Sequence, residues 1–382
     1  MKTKITIGLF IDTYFPMIDG VTMVVDNYAK RLTKYANVIV FAPSYANYDD
    51  TNLNYKVVRC KSLKVPFLDY NLPIPALDRK FKKKWKEYKL DIVHIHSPAT
   101  LGMIGIKYAQ KHNIPVIGTM HSQYKKDFKR ALKSNLLANV LTKKITNIYN
   151  KCTEVWTVNK KVAEIFIKEY GYNKTPRIIY NATEMTPLKN SQDINRINNI
   201  HPNDKVLLFV GRINKLKNIF FIADTIKILN EKKPNFTYKM LFIGSGQDAD
   251  ELKKYTKDID NIIMCGKITD RNLLASYYKR ADLFLFPSLY DCNSIVQIEA
   301  ASQKTPGLFI KNSATSSEII DNINGFLSEN TAQDYADKII QIINDKELLN
   351  KVGQNAFETI YKNWNDTIKE VFELYSRIIK ER

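Results

Sequence analysis

Residues 205–218 read KVLLFVGRINKLKN. An apolar run that closes on glycine is a strand buried on both faces, and the helical period that follows, from about Asn218 to Asn230, completes a strand–loop–helix unit. Strands of this kind belong to parallel sheets covered by helices on both sides. The loop carries Arg212 and Lys217, five positions apart at the helix entry. A forked guanidinium and a point-charge ammonium there suit a diphosphate. Surface charge around a turn is the plainer alternative.

The same unit recurs in both directions. Downstream come YKMLFIGSG (238–246), NIIMCGKI (261–268), ADLFLFPS (281–288) and PGLFI (306–310), with helices between them. Upstream lie KITIGLFID (4–12), NVIVFAP (37–43), YKVVRC (55–60), DIVHIHSP (91–98), IPVIGTMH (114–121), EVWTVN (154–159) and RIIYNAT (177–183). Helices are expected over 20–35, with Val21, Val24, Val25, Tyr28 and Leu32 on one face, and over 101–112. The stretch 184–204 is polar and lacks a period, so it reads as a connector between domains. Two Rossmann-like domains follow, at 1–190 and 191–362, with a C-terminal helix (363–382) returning to the first. Neither has GxGxxG after its first strand, which argues against a nicotinamide or flavin enzyme.

With 382 residues, 45% apolar and 25% charged, the chain has the composition of a globular protein of two domains. No apolar run approaches the ~20 residues that span a bilayer. The N-terminal run alternates and carries Asp12, so it reads as a strand rather than a signal peptide, and a cytoplasmic location is expected. The four cysteines are scattered without a CxxC pair, which indicates neither a disulfide framework nor a zinc site. Cys292, beside Asp291, reads as a buried free thiol, since no base signature accompanies it.

Charge is distributed unevenly. Residues 1–190 hold 32 Lys and Arg against 14 Asp and Glu, and residues 191–382 hold 26 against 25. Two basic clusters stand out. RKFKKKWKEYK (79–89) contains Lys82, Lys83, Lys84 and Trp85, with Phe81, Trp85 and Tyr88 at helical spacing. Residues 121–151 contain Lys125, Lys126, Lys129, Arg130 and Lys133, with Tyr124, Phe128, Leu132 and Leu136 at helical spacing. Basic amphipathic helices with aromatics suit an anionic membrane surface or acceptor. A solvated helix face over an ordinary core is the alternative. No specific nucleic-acid motif is visible.

Ligands of open α/β sheets bind beyond the carboxyl ends of the strands. Gly244-Ser245-Gly246 stands at one such end, and glycines there let backbone approach a ligand. SLYDCNSIVQIEAASQKTP (288–306) stands at another, with Asn293 or Ser294 as N-cap candidate and Ile295, Ile298 and Ala301 or Ser302 on a buried face. Its acids, Asp291 and Glu299, are eight residues apart, ~12 Å if helical, too far to share a proton or a metal. They could instead bind two hydroxyl-bearing parts of one elongated ligand, with an anion between them; an exposed acid and an acid that stabilises the first helical turns through the helix dipole are the plainer alternative. In the first half, Gly20 opens a helix, and His94, His96 and His121 end strands; a strand-end histidine is more often structural than catalytic.

Taken together, FPMIDGV (15–21), DIVHIHSP, GTMHSQY (118–124), VGRINKLKN (210–218), IGSGQDADELK (243–253), GKI (266–268) and SLYDCNSIVQIEAAS resemble glycosyltransferase family 4. The resemblance covers nearly the whole chain. It implies the GT-B fold: two Rossmann-like α/β domains whose parallel sheets face an interdomain cleft, with the donor mainly on the second. It implies that Arg212 and Lys217 bind the donor diphosphate and stabilise the leaving group, that Gly20 contacts phosphate, and that His121 lies near the hexose and the reacting centre. Asp291 and Glu299 would meet the hexose hydroxyls and the ribose. Lys267 and Ile268 would meet the base through backbone, and Gly244, Gly246, Asn293, Ser294 and Ile295 would line the donor. The family retains anomeric configuration and needs no divalent metal or other cofactor. Here Asp replaces the usual Glu at 291, and Ser the usual glycine at 294. The expected activity is hexosyl transfer from a UDP-linked sugar to a membrane-associated glycolipid or lipid-linked glycan, on the inner face of the cell membrane. A non-catalytic GT-B-like partner, a nucleotide-sugar epimerase and a nucleic-acid binder are the other readings.

Overall fold

A computed structural model of the protein describes residues 4–46, 48–64, 71–292 and 294–382. The chain forms two compact units, one of residues 1–181 with 364–382 and the other of residues 182–363. Each is built on an all-parallel sheet. The first contains β1 (Thr6–Phe10), β2 (Asn37–Pro43), β3 (Lys56–Cys60), the small antiparallel pair β4 (Ser62–Lys64) and β5 (Asn71–Pro73), then β6 (Ile92–Ile95), β7 (Val116–Met120), β8 (Glu154–Thr157) and β9 (Arg177–Ile178). Its seven-stranded sheet runs β3-β2-β1-β6-β7-β8-β9. The second contains β10 (Lys205–Val210), β11 (Tyr238–Ile243), β12 (Ile262–Gly266), β13 (Leu283–Phe286), β14 (Gly307–Ile310) and β15 (Phe326–Ser328), in the order β12-β11-β10-β13-β14-β15.

The apolar runs behave as their composition dictates. All four residues of β6 and of β13 are buried, because helices cover both faces of each sheet. In each sheet the strand order reverses about the first strand: β1 lies between β2 and β6, and β10 between β11 and β13. The crevice beyond the carboxyl ends of such a pair is where open α/β sheets bind ligands.

The helix Trp364–Lys380 packs in the first unit. Trp364 lies edge-on to Tyr28, Phe372 stacks on Tyr35, and Tyr375 stacks on Trp156.

Three expectations are corrected. The polar stretch 184–204 is not a connector but part of the second unit, which begins at Ala182. Its apolar anchors Met185, Ile194 and Ile200 are buried but too sparse to show a period. Hydrogen bonds from Gln192 N to Ser276 Oγ and from Asn198 Nδ2 to Tyr277 OH hold it down. The strand expected over 177–183 is only Arg177–Ile178. The second basic cluster is two helices, Tyr124–Leu132 and Asn135–Tyr149, rather than one. Lys133 ends the first in the left-handed region (φ 50°), and Ser134 caps the second through Leu137 N.

Candidate active site

In the second unit the loop after β10 is held from below. Ile213 N donates to Ser245 O (3.0 Å), Asp248 N donates to Ile213 O (3.2 Å), and Asp248 Oδ2 accepts from Lys215 N (2.8 Å). This is what the glycines of the GSG turn are needed for. A Cβ on Gly244, whose φ is +145°, would meet Gly211 O at 1.8 Å, and one on Gly246 would meet Ile213 O at 2.2 Å. Their proximity to the loop is a packing requirement, whatever else they touch. Asn214 Oδ1 then accepts from Lys217 N, and Asn218, at φ 60°, turns the chain into the helix Ile219–Lys232.

The loop delivers Lys217 to Asp291. Lys217 Nζ donates to Asp291 Oδ1, and Ser288 Oγ donates to Asp291 Oδ2 (2.7 Å). Aspartate therefore still closes this pair although it is one methylene shorter than glutamate. Arg212 is exposed on the same loop. Asp291 precedes the helix Ile295–Ser302, whose N-cap Ser294 makes no side-chain cap bond. Asn293 lies outside the described residues. Lys267 and Ile268 follow β12, beyond its carboxyl end.

Glu299 is only 3% exposed, and both of its oxygens are engaged. Arg271 Nη2 donates to Oε1 (2.6 Å) and Tyr278 OH donates to Oε2 (3.1 Å). Burial pushes its carboxyl pKa up, while Arg271 and Tyr278 pull it back. Arg271 and Tyr278 were not anticipated from the sequence. The only signal was a basic residue at the first position of a predicted helix, 28 residues from its partner.

In the first unit three groups gather at the carboxyl ends of β1, β6 and β7. Asp12 is buried and accepts from Thr100 Oγ1 (2.5 Å), Leu101 N (2.8 Å) and Ser97 Oγ (3.0 Å), so it caps the helix Thr100–His112. In the sequence it shows only as a charge at the end of the first apolar run. Gly20 opens the helix Gly20–Leu32, capped by Asp19 Oδ1 through Thr22 N. A Cβ on Gly20 would meet nothing within 4 Å, so the fold itself does not require glycine there. Two substitutions separate these cases. Gly246→Ala is expected to cost on the order of 1–3 kcal/mol, because backbone must move. Gly20→Ala is expected to hold or raise stability by about 0.4–1 kcal/mol. Urea unfolding of both variants checks the contrast, and equal losses would refute it.

The third group is histidine. His94 is fully buried in β6, with Nδ1 bonded to Tyr375 OH and Nε2 to Thr119 Oγ1 (2.6 Å). It is structural. His96 Nδ1 lies 3.1 Å from His121 Nε2, and the two rings stack. Burial pushes His94 and His96 well below the usual imidazole range and His121 down to about 3, so all three are neutral.

The basic clusters divide. In the first, only Arg79–Lys84 is α-helical. Its aromatics cover the core: Phe81 is buried against Phe41, Trp85 packs on Tyr108, and Tyr88 on Phe41. Lys82, Lys83 and Lys84 remain exposed. The second cluster presents an apolar patch instead. Leu132 is 42% exposed, Leu136 74%, Leu137 51% and Val140 46%, amid Lys129, Arg130, Lys133, Lys143 and Lys144. Among the described residues no helix is long and apolar enough to cross a membrane, and no group of His, Cys, Asp and Glu is arranged to hold a metal ion.

Residues 18–186 match the family profile described as Glycosyltransferase Family 4, and residues 190–359 match that of Glycosyl transferases group 1. The chain is 23% identical over 386 residues to the alpha-monoglucosyldiacylglycerol synthase of Streptococcus pneumoniae, covering 96% of this chain and 85% of that one. Sucrose-phosphate synthase from Thermosynechococcus elongatus has a similar structure, with TM-score 0.80 at 18% identity over 99% of this chain and 100% of that one. So does HepE of Anabaena in complex with UDP-glucose, with TM-score 0.73 at 16% identity over 97% of this chain and 99% of that one. With both halves matched in order and the parallel-sheet architecture shared, the chain belongs to glycosyltransferase family 4 and has the GT-B fold.

Proposed function

We propose that the protein transfers a hexose, with retention of configuration and without a divalent metal, from a UDP-sugar to a lipid or glycolipid acceptor at a membrane surface. The observation that carries this is the braced loop after β10, which carries Arg212 and sets Lys217 beside Asp291 beyond the carboxyl end of the sheet. Positive groups fixed before reaction stabilise charge as it develops on a departing diphosphate. The bond from the anomeric carbon to the phosphate oxygen breaks, the acceptor oxygen bonds to that carbon on the same face, and the acceptor proton passes to the leaving phosphate. Arg212 and Lys217 hold the diphosphate, Asp291 orients Lys217 and reads a sugar hydroxyl, and Glu299 reads the ribose. Glu299 already accepts from Arg271, Tyr278 and Thr183, but a carboxylate offers about four lone-pair sites. Half-exposed Arg271 is free to share the group with a nucleotide.

The lipid acceptor is supported by the patch of Leu132, Leu136, Leu137 and Val140 ringed by lysines, which suits an anionic lipid surface. The diacylglycerol named in the S. pneumoniae relative agrees with it. The basic excess of residues 1–190 points the same way. Peripheral membrane association on the cytoplasmic side follows from this reading.

Unfolding temperature measured against UDP-glucose, UDP-galactose and UDP-N-acetylglucosamine tests the donor. The true donor at 100 times its Kd adds about 2.7 kcal/mol. Transfer to diacylglycerol in vesicles, with the product anomer read by NMR, tests the rest. An inverted product, or no stabilisation by any nucleotide sugar, would overturn the proposal. Vesicle binding is expected to need anionic lipid and to weaken steeply between low and 0.5 M salt. Binding indifferent to salt would exclude the surface charge as its cause.

A further inference from the structure

His96 has one feature that the rest of the histidine cluster lacks. His94 is bonded through both ring nitrogens. His96 is bonded only through Nδ1, to His121 Nε2, and its Nε2 is buried with no hydrogen-bond partner among the described residues. A neutral imidazole has one N–H and one lone pair. A bond between two neutral imidazoles needs one of each, so the orphaned nitrogen decides which ring donates.

If His121 donated from Nε2, His96 would carry its proton on Nε2, a buried N–H with no acceptor. Tyr28, edge-on with ring centroids 5.5 Å apart, offers at most a weak one. If His96 donates from Nδ1, only a lone pair is left unmet on Nε2. Orphaned buried N–H groups are rarer than under-satisfied acceptors. An imidazolium on either ring would leave the same orphaned N–H on His96 Nε2, and burial disfavours the added charge.

We infer that His96 is a positioning residue that donates its Nδ1–H to His121 Nε2 and thereby locks His121 in the Nδ1–H tautomer. His121 follows β7 and keeps partial exposure. Its Nδ1 therefore carries a hydrogen, not a lone pair. On the function proposed above, His121 donates a hydrogen bond to an oxygen of the sugar donor and is not a base for the acceptor hydroxyl. That consequence rests on the proposed reading; the tautomer does not.

The test is long-range 1H–15N correlation on the full chain labelled with 15N-histidine, with resonances assigned by single substitutions. The expected result is a neutral His121 carrying its proton on Nδ1. A proton on Nε2, or a rapidly exchanging mixture, would overturn the inference. His96→Phe is expected to release the tautomer and lower kcat for transfer by about tenfold, one hydrogen bond's worth, with KM for the nucleotide sugar little changed. His96→Asn places an amide N–H where Nδ1 stood and is expected to rescue both the spectrum and part of kcat. If His96→Phe fails to fold, the wild-type spectrum alone decides. The spectrum needs no sugar, so it stands or falls separately from the choice of donor.

Discussion

Alanine at Arg212 or Lys217 is expected to lower glycosyl transfer by roughly 10²–10³-fold, with KM for the nucleotide sugar rising far less than kcat falls. The size is that of losing one preorganised donor to a developing oxyanion. The split between kcat and KM follows because the charge on the diphosphate is larger in the transition state than in the bound substrate. Lys217→Ala has a second effect. It leaves Asp291 with Ser288 as its remaining hydrogen-bond donor, so a carboxylate that was oriented by an ammonium loses its counter-charge. Asp291→Asn is therefore expected to be milder than Lys217→Ala, since the amide oxygen can still accept from Lys217. Steady-state kinetics on the three variants, with unfolding curves to confirm folding, check this. Near-normal turnover in Arg212→Ala or Lys217→Ala would remove the leaving-group role.

The second large effect is on stability. His94, His96 and His121 are all held neutral by burial. In the unfolded chain each titrates near the ordinary imidazole value, so below about pH 6.5 the unfolded state binds protons that the folded state refuses. Stability is then fully present above that pH and is lost as pH falls. Between pH 7.5 and 5.5 the three rings together account for a loss on the order of 4 kcal/mol, a large share of a domain's total. Asp127 opposes this, because burial pushes its carboxyl up to about 6. It binds a proton in the fold first and returns less than 1 kcal/mol. Raised Asp12 acts in the same sense as Asp127 within the first unit, and raised Glu299 does so within the second. The net expectation is a clear fall in the urea midpoint of the first unit from pH 7.5 to 5.5. An unchanged midpoint would show that the cluster takes up protons without unfolding.

The strands were legible because burial on both sides of a parallel sheet leaves a continuous apolar run, as in LLFV and LFLF. Helix starts were legible from the apolar period, as at Gly20, whereas the capping side chains Asp19 and Asn159 emerge only in the structure. What escaped were features made by distance in sequence. Arg271 meets Glu299 across 28 residues, and His96 meets His121 across 25. No local period announces either pair. The GSG turn was visible, but its packing against Gly211 and Ile213 was not, since a glycine reads alike whether ligand or backbone comes close. The second unit's first residues were misread for a related reason. Hydrogen bonds to a distant helix anchor 184–204, and three buried side chains are too few to register as a pattern.

The return of the helix Trp364–Lys380 to the first unit has a consequence for biosynthesis. Residues 182–363 form one uninterrupted compact unit, whereas the first unit takes its parts from both sides of it. Domains usually form in the order they leave the ribosome. Here the unit made first waits longest: Tyr375, which bonds His94, and Trp364, which covers Tyr28, emerge only after the whole second unit. The nascent first unit must carry an open apolar flank through that interval. A chaperone has most to protect at this stage, and a premature stop after residue 363 strands the first unit rather than the second.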